Sequence, residues 1–197
     1  MYKQCFSEQS ANRQHELEHG LLRAMCIERY EDITVSNLCE QMNIPRKCFY
    51  RYFSSKDGAL FALIDHTLME LTGEFYSETM ATTIPTLEHF FQFWKEKRLL
   101  LDALTKSEMT GVLIQRSIVQ AVAEDLLPAR NFYHHRHIPQ DYIINFLVSG
   151  LLSLVIQWHQ SDFRESESDL AFAAAQLLTQ PLFSRAPTSE TGEKRML

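Results

Sequence analysis

The sequence predicts an all-α protein, and two observations support this prediction. Glycine and proline number only 6 each among 197 residues, so few positions would interrupt a helix. Four prolines, at positions 45, 85, 128 and 139, fall between segments whose apolar residues recur at helical spacing. The composition, 45% hydrophobic and 22% charged, is that of an ordinary globular protein.

The first helix is predicted over about residues 12–30. It follows an N-terminal arm, residues 1–11, in which apolar residues show no periodicity. Leu17, Leu21 and Met25 recur at intervals of four residues, which places them on one face of a helix. We expect this apolar face to cover the two short helices that follow.

Two short helices joined by a tight turn are predicted within residues 34–56, TVSNLCEQMNIPRKCFYRYFSSK. Thr34 is a good N-cap for the first of them, because its hydroxyl can accept a hydrogen bond from a free backbone N–H. Asn43 stands where the turn needs a left-handed residue. Pro45 suits the first turn of the second helix. This layout is typical of a helix-turn-helix that reads DNA.

Charge is unevenly placed along the chain. The net charge is -6, yet residues 34–56 hold four basic side chains against one acidic side chain. The result is a local positive patch on an acidic body, which indicates nucleic-acid binding confined to one segment.

The second short helix has an apolar and a basic side. Phe49 and Phe53 are four residues apart and should pack inward. Arg46, Lys47, Tyr50 and Arg51 would then face solvent or DNA.

The four cysteines show no metal-ligand spacing, and no leader pattern opens the chain. We therefore expect reduced thiols and a cytoplasmic protein. Cys48 could sense oxidants beside Arg46 and Lys47, or it could be a small side chain that fits near DNA. The sequence leaves both interpretations open.

A long fourth helix is predicted over residues 56–80, enough to reach from the first module into a second helical domain. Further helices follow Pro85, one of them with a heavy aromatic stripe, and end before Pro128. Aromatic stripes form cores more often than pockets, although in a domain that binds an effector they can do both. The candidate pocket residues are Phe90, Phe93, Trp94, Ile118 and Phe146.

The last two helices are predicted from DYIINFLVSGLLSLVIQW, residues 141–158, and from the segment that Ser166 or Ser168 would cap. The first is apolar nearly all round but is interrupted by Asn145, Ser149 and Ser153. A helix buried against its own domain and against a partner explains this better than a membrane span. Two such helices from each of two chains could form a four-helix bundle. The candidate interface residues are Phe146, Gly150, Leu154, Leu170, Ala174 and Leu177.

The run ITVSNLCEQMNIPRKCFYRYFSSKDGALFAL, residues 33–63, resembles the signature of the TetR family of bacterial transcription regulators. The resemblance implies an N-terminal three-helix helix-turn-helix DNA-binding domain, residues 1–55, and a C-terminal helical domain for ligand binding and dimerisation, residues 56–183. Residues 184–197 are polar and are predicted to be a disordered tail. Asn43 replaces the usual turn glycine, and Cys48 stands where a hydroxyl residue is common.

The resemblance also implies which side chains touch double-stranded operator DNA. Arg46 and Lys47 would enter the major groove, with Arg46 placed for a bidentate contact to guanine. Lys56 and Thr34 would meet phosphates at helix N-termini. The full set of candidate contacts is Thr34, Ser36, Arg46, Lys47, Cys48, Tyr50, Arg51, Tyr52 and Lys56.

Three functions remain open from the sequence. The first is a homodimeric repressor that a small-molecule effector releases from a palindromic operator. The second is an activator controlled by a protein co-regulator, since FLVSGLLSLVIQW and the SxSDLA cap resemble a subgroup that includes activators of dihydroxyacetone-kinase operons. The third is a metal protein or enzyme centred on His134, His135 and His137, but their segment is more simply an exposed loop. No nucleophile, general base or phosphate loop is recognisable, so we expect no catalysis, no cofactor and no metal.

Overall fold

We describe a computed structural model of the chain over residues 2–3, 7–77, 83–124 and 139–179. These residues form nine α-helices and one short 3-10 turn, Tyr30–Asp32, and they confirm the predicted all-α class. The helices are α1 Glu8–Ile27, α2 Val35–Gln41, α3 Arg46–Tyr52, α4 Lys56–Ser77, α5 Thr83–Glu96, α6 Arg98–Lys106, α7 Thr110–Ala123, α8 Gln140–Gln160 and α9 Glu167–Thr179. The predicted tail and the segment with His134, His135 and His137 lie outside the described residues.

Helix α1 begins four residues before its predicted start. The side chain of Ser7 caps it by accepting from the backbone N–H of Ser10 at 3.3 Å. The first turn is polar, so apolar periodicity could not detect it. The prediction of an arm over residues 1–11 was therefore wrong for residues 8–11, which belong to α1.

The extreme N-terminus is also engaged. Tyr2 forms an isolated antiparallel bridge with Phe53, and the backbone N–H of Lys3 donates to the carbonyl oxygen of Tyr52 at 3.1 Å. These contacts join the start of the chain to the end of α3.

Helix α4 connects the N-terminal helices to the rest of the body. It packs on α1, α5 and α7. Leu60, Ile64 and Leu68 are nearly or fully buried along it. Because α4 packs with both groups of helices, a change in its tilt would change the position of one group relative to the other.

The C-terminal helices pack mainly as two pairs, α5 with α9 and α7 with α8. Trp158 of α8 packs on α5, where its ring meets that of Phe91 edge-on at 5.9 Å between centroids. Ser166 caps α9, as predicted, by accepting from the N–H of Asp169 at 3.1 Å.

Helix α8 combines a buried and an exposed apolar face. Ile144, Leu152, Val155 and Trp158 are buried against the body. Much of the rest is exposed, and by length and composition alone α8 is the one helix of the described chain that could cross a membrane. Its buried face and its packing on α7 indicate a helix that belongs to the folded helical body and leaves its other face exposed.

Candidate nucleic-acid interface

The turn between α2 and α3 has the geometry that its sequence predicts. Asn43 adopts a left-handed backbone with φ of 51°. The N–H of Ile44 then reaches back to the carbonyl oxygen of Cys39 at 2.9 Å, which satisfies a free carbonyl at the end of α2. Pro45 lies one position earlier than expected, as the N-cap of α3 with φ of -66°. The turn fixes the angle at which α3 leaves α2.

Helix α3 is held to the body by two phenylalanines. Phe49 and Phe53 are 0% and 1% exposed, and their ring centroids lie 5.3 Å apart. They pack in one apolar cluster with Leu38 of α2 and Leu21 of α1. The predicted inward face of α3 is thus confirmed.

The opposite side of α3 presents cations and an aromatic ring to solvent. Arg46, Lys47, Tyr50 and Arg51 are all exposed. Arg46 Nη2 donates to the Tyr50 hydroxyl at 3.5 Å, and its guanidinium lies 5.8 Å from the centre of the Tyr50 ring. The two side chains therefore form a paired cation and ring, with guanidinium donors left for a base edge or a phosphate.

Three further predicted contacts are on α3, on α2 and at the N-cap of α2. Thr34 caps α2 by accepting from the N–H of Asn37 at 3.1 Å, so its hydroxyl proton can still be donated outward. Ser36 is exposed in the first turn of α2, and Cys48 is a half-buried free thiol on α3.

Tyr52 is placed differently from the other candidates. Its side chain is 8% exposed and belongs to the apolar cluster, with its ring 6.5 Å from that of Phe53. The structure does not bring the Tyr52 ring to the surface with Arg46 and Lys47. Its position on α3, six residues after Arg46, turns it toward α1 instead.

Lys56 is engaged inside the chain. Its ammonium donates to the carbonyl oxygen of Tyr30, and to that of Ile33 at 2.6 Å. It also lies 4.1 Å from the centre of the Tyr30 ring. Burial lowers the pKa of the Lys56 ammonium, while the carboxylate of Asp57 opposes that change. Lys56 thus ties the 3-10 turn to α4, and only one of its three N–H donors is left for a phosphate.

The predicted pocket residues do not surround one space. Phe93 and Trp94 are 2% and 0% exposed within the core, whereas Phe146 is 69% exposed. Phe90 and Ile118 are half-buried. A cleft that the structure does show, of about 610 Å³, is polar and open, and it lies between α1 and α3 beside Arg51 and Arg13.

The predicted interface residues divide by exposure. Phe146, Gly150 and Leu177 are exposed, and Leu154 and Leu170 are half-buried. Ala174 is 1% exposed, because that side of α9 packs on α5 of the same chain. The structure removes Ala174 from the surface that a partner could touch.

One buried polar cluster was missed by the sequence analysis. Glu18 is 1% exposed in α1 and meets His66 of α4 across 48 positions of sequence. The available signal was a glutamate on the apolar stripe of α1, three residues before Leu21 and seven before Met25.

Residues 81–180, about half of the chain, match the TetR_C_8 family model, described as a transcriptional regulator C-terminal region. No curated protein matches the sequence.

Two solved structures share the fold. The fatty acid degradation regulator FadR from Bacillus halodurans is similar with a TM-score of 0.62 and 14% identity, over 88% of this chain and 97% of that one. A tetR-family transcriptional regulator from Streptomyces coelicolor is similar with a TM-score of 0.52 and 16% identity, over 85% of this chain and 81% of that one. At such low sequence identities, the similarity shows that the fold is shared.

The family match covers the C-terminal half, whereas the signature run that resembles the family lies at residues 33–63. Regulators of this family are not enzymes. The chain belongs to the TetR family of transcriptional regulators.

Proposed function

We propose that the chain is a homodimeric repressor that holds a near-palindromic operator through α3 and releases it when an effector binds. Residues 1–55 would be the DNA-binding domain and residues 56–183 the effector and dimerisation domain. The observation that carries the proposal is the exposed face of Arg46, Lys47, Tyr50 and Arg51, hereafter the reading face.

The reading face suits DNA in charge, shape and support. A short helix fits the major groove with its N-terminal residues toward the base edges, and Arg46 and Lys47 are the first two residues of α3. Phe49 anchors the helix from behind with 0% exposure, so contact with DNA would not loosen it. Tyr50 and Arg51 follow on the same exposed side and would reach the sugar-phosphate backbone.

Dimerisation is supported by apolar surface on α8 and α9. Tyr142, Phe146, Phe172, Leu177 and Leu178 are exposed to between 42% and 70%. Several large apolar side chains exposed on two helices suit an interface, and a second copy would cover them through a two-fold axis. The dimer would set two reading faces in successive major grooves, roughly 34–36 Å apart.

An activator with a protein co-regulator is the second candidate. The observation that favours it is the same apolar surface together with the deep burial of Phe93 and Trp94, which leaves those rings to the core. In that case the exposed apolar side chains of α8 and α9 would serve a different protein in addition to the second copy.

The test compares two pairs of charge removals. Duplexes enriched by wild-type protein from a random library of about 30 base pairs, long enough for two half-sites, serve as the DNA. We expect Arg46→Ala with Lys47→Ala to abolish specific binding in fluorescence anisotropy. Circular dichroism and sedimentation velocity should show unchanged helix content and mass.

The matched control removes two exposed cations far along the chain, Arg98→Ala with Arg164→Ala. It changes the net charge equally and should bind like wild type. Equal affinity of the two double variants would contradict the assignment of the reading face, and so would wild-type affinity in the Arg46 and Lys47 variant.

A further inference from the structure

Three side chains able to bind a metal converge where α1 meets α4. His15 and Glu18 are one turn apart on α1, and His66 comes from α4. Glu18 Oε2 lies 3.3 Å from His15 Nδ1 and 2.9 Å from His66 Nδ1. One potential ligand atom from each residue lies within 4.8 Å of the others.

The carboxylate of Glu18 is only half satisfied by these contacts. Its side chain is 1% exposed, and Oε1 is buried with no hydrogen-bond partner among the residues that the structure describes. An unsatisfied oxygen of a buried carboxylate is costly. An ion pair with His66 alone does not remove that cost, since both imidazoles approach the same oxygen, Oε2.

We propose that His15, Glu18 and His66 bind one divalent transition-metal ion, with Zn²⁺ the best match. Two imidazoles and one carboxylate are ligands that Zn²⁺ accepts in sites that keep a fourth position open. Glu18 Oε1 can share the ion with Oε2, which would satisfy the oxygen that the described part of the chain leaves without a partner.

Two of the three spacings between the ligand atoms are close to those around such an ion, and the third, between the two imidazole nitrogens, is within 4.8 Å. Bonds of about 2.0–2.1 Å in a tetrahedral arrangement separate two ligand atoms by about 3.3–3.4 Å. The distance from His15 Nδ1 to Glu18 Oε2 already has this value, 3.3 Å. The distance from His66 Nδ1 to Oε2, 2.9 Å, would need to open by a few tenths of an ångström. Rotation of the half-exposed His15 and His66 rings can supply that.

The surroundings separate the cluster from other acidic groups. Asp65, next to His66 in sequence, accepts from the Tyr2 hydroxyl at 2.9 Å and from Arg116 Nε at 2.8 Å. Its oxygens are therefore already used. Burial raises the pKa of Tyr2 to about 12, so the hydroxyl keeps its proton and remains a donor. The Tyr2 ring stands edge-on to the His66 ring at 5.8 Å and covers one side of the site.

A bound ion would cross-link α1 to α4. Helix α1 packs on α2 and α4, so the ion would fix the joint between the helices that carry the reading face and the rest of the body. An effect on DNA binding rests on the proposed function, whereas metal binding itself does not.

The test measures metal binding directly on the full chain after treatment with a chelator. Isothermal titration with Zn²⁺ should give one ion per chain. His15→Ala should weaken the affinity at least about tenfold, since loss of even an outer-shell partner costs this much. Co²⁺ in place of Zn²⁺ should give visible d–d absorption of a site with nitrogen ligands, and His15→Ala should remove it.

Two features keep the test decisive. The His15 side chain is 47% exposed, so its removal should not prevent folding, which circular dichroism checks. His19→Ala removes an exposed histidine of the same helix outside the cluster and should bind like wild type. The proposal is overturned if wild type binds no stoichiometric Zn²⁺, or if His15→Ala keeps wild-type affinity, since the ion would then be held elsewhere. Neither result depends on DNA.

Discussion

The sequence and the tertiary structure give different roles to the Lys56 side chain. The resemblance to the family implies a phosphate contact, whereas the ammonium is tied to the carbonyl oxygens of Tyr30 and Ile33. We expect Lys56→Met to lower the free energy of unfolding and to leave the number of phosphate contacts unchanged. Methionine keeps an apolar stem and removes the ammonium, with its two hydrogen bonds and its contact with the Tyr30 ring.

The size of the effect follows from the two hydrogen bonds. Each bond from a charged donor contributes about 1.5–3 kcal/mol. The site is only half-buried, so water can replace part of the loss, and we expect about 2–3 kcal/mol in total. For a chain of this length 1 kcal/mol shifts Tm by about 2–4 °C, so Tm should fall by about 4–12 °C. Thermal unfolding followed by far-UV circular dichroism measures this shift.

Lys47→Met is the matched control, because it removes the same charge from an exposed position on α3. It should change stability by no more than about 0.5 kcal/mol and should weaken DNA binding. A phosphate contact contributes about 0.9 to the slope of log affinity against log salt. If Lys56 met a phosphate in both protomers, Lys56→Met would lower the slope by about 1.8. An unchanged Tm together with such a lower slope would refute the structural role given to Lys56.

Two more predictions test packing and charge in the folded chain. A Cβ at Gly20 would clash with Sδ of Met42. Gly20→Ala should therefore raise the free energy of unfolding, measured with urea, by less than the about 1 kcal/mol that helix propensity alone predicts. It should recover that gain once Met42→Ala clears the space; equal effects of Gly20→Ala in both backgrounds would contradict the contact. The hydrogen bond from Lys95 lowers the pKa of Glu167 in the folded chain. The pair therefore stabilises the fold at pH values above the pKa of Glu167 in the unfolded chain. This stabilisation is lost as the pH falls through the lower pKa of the folded chain. Lys95→Met should therefore cost less than about 1 kcal/mol near neutral pH and nothing in acid, and a cost that grew on acidification would show that the sign is wrong.

Helix caps and the turn of the helix-turn-helix can be predicted from neighbouring residues alone. Thr34 and Ser166 cap helices because a hydroxyl before a helix satisfies its free N–H groups. Asn43 takes the left-handed position because asparagine tolerates it better than most residues. Phe49 and Phe53 face inward because of their spacing on one short helix. Each of these results depends on residues within a few positions of one another.

The boundaries of α1 and the face of α9 were harder to predict. The polar first turn of α1, capped by Ser7, carries no apolar signal. Ala174 looked like part of a partner surface, but it packs within its own chain. A small apolar residue suits close packing against any helix, and the sequence does not say which helix that will be.

Which distant groups meet cannot be predicted from the sequence. Lys56 finds carbonyl oxygens 23 and 26 residues earlier, Tyr52 turns into the core, and Glu18 of α1 meets His66 of α4. Such encounters depend on how whole helices pack, and helical periodicity fixes only which side of each helix is apolar. The reading face could therefore be predicted from the sequence, whereas the contacts of Lys56, Tyr52 and Glu18 became visible only in the packed helices.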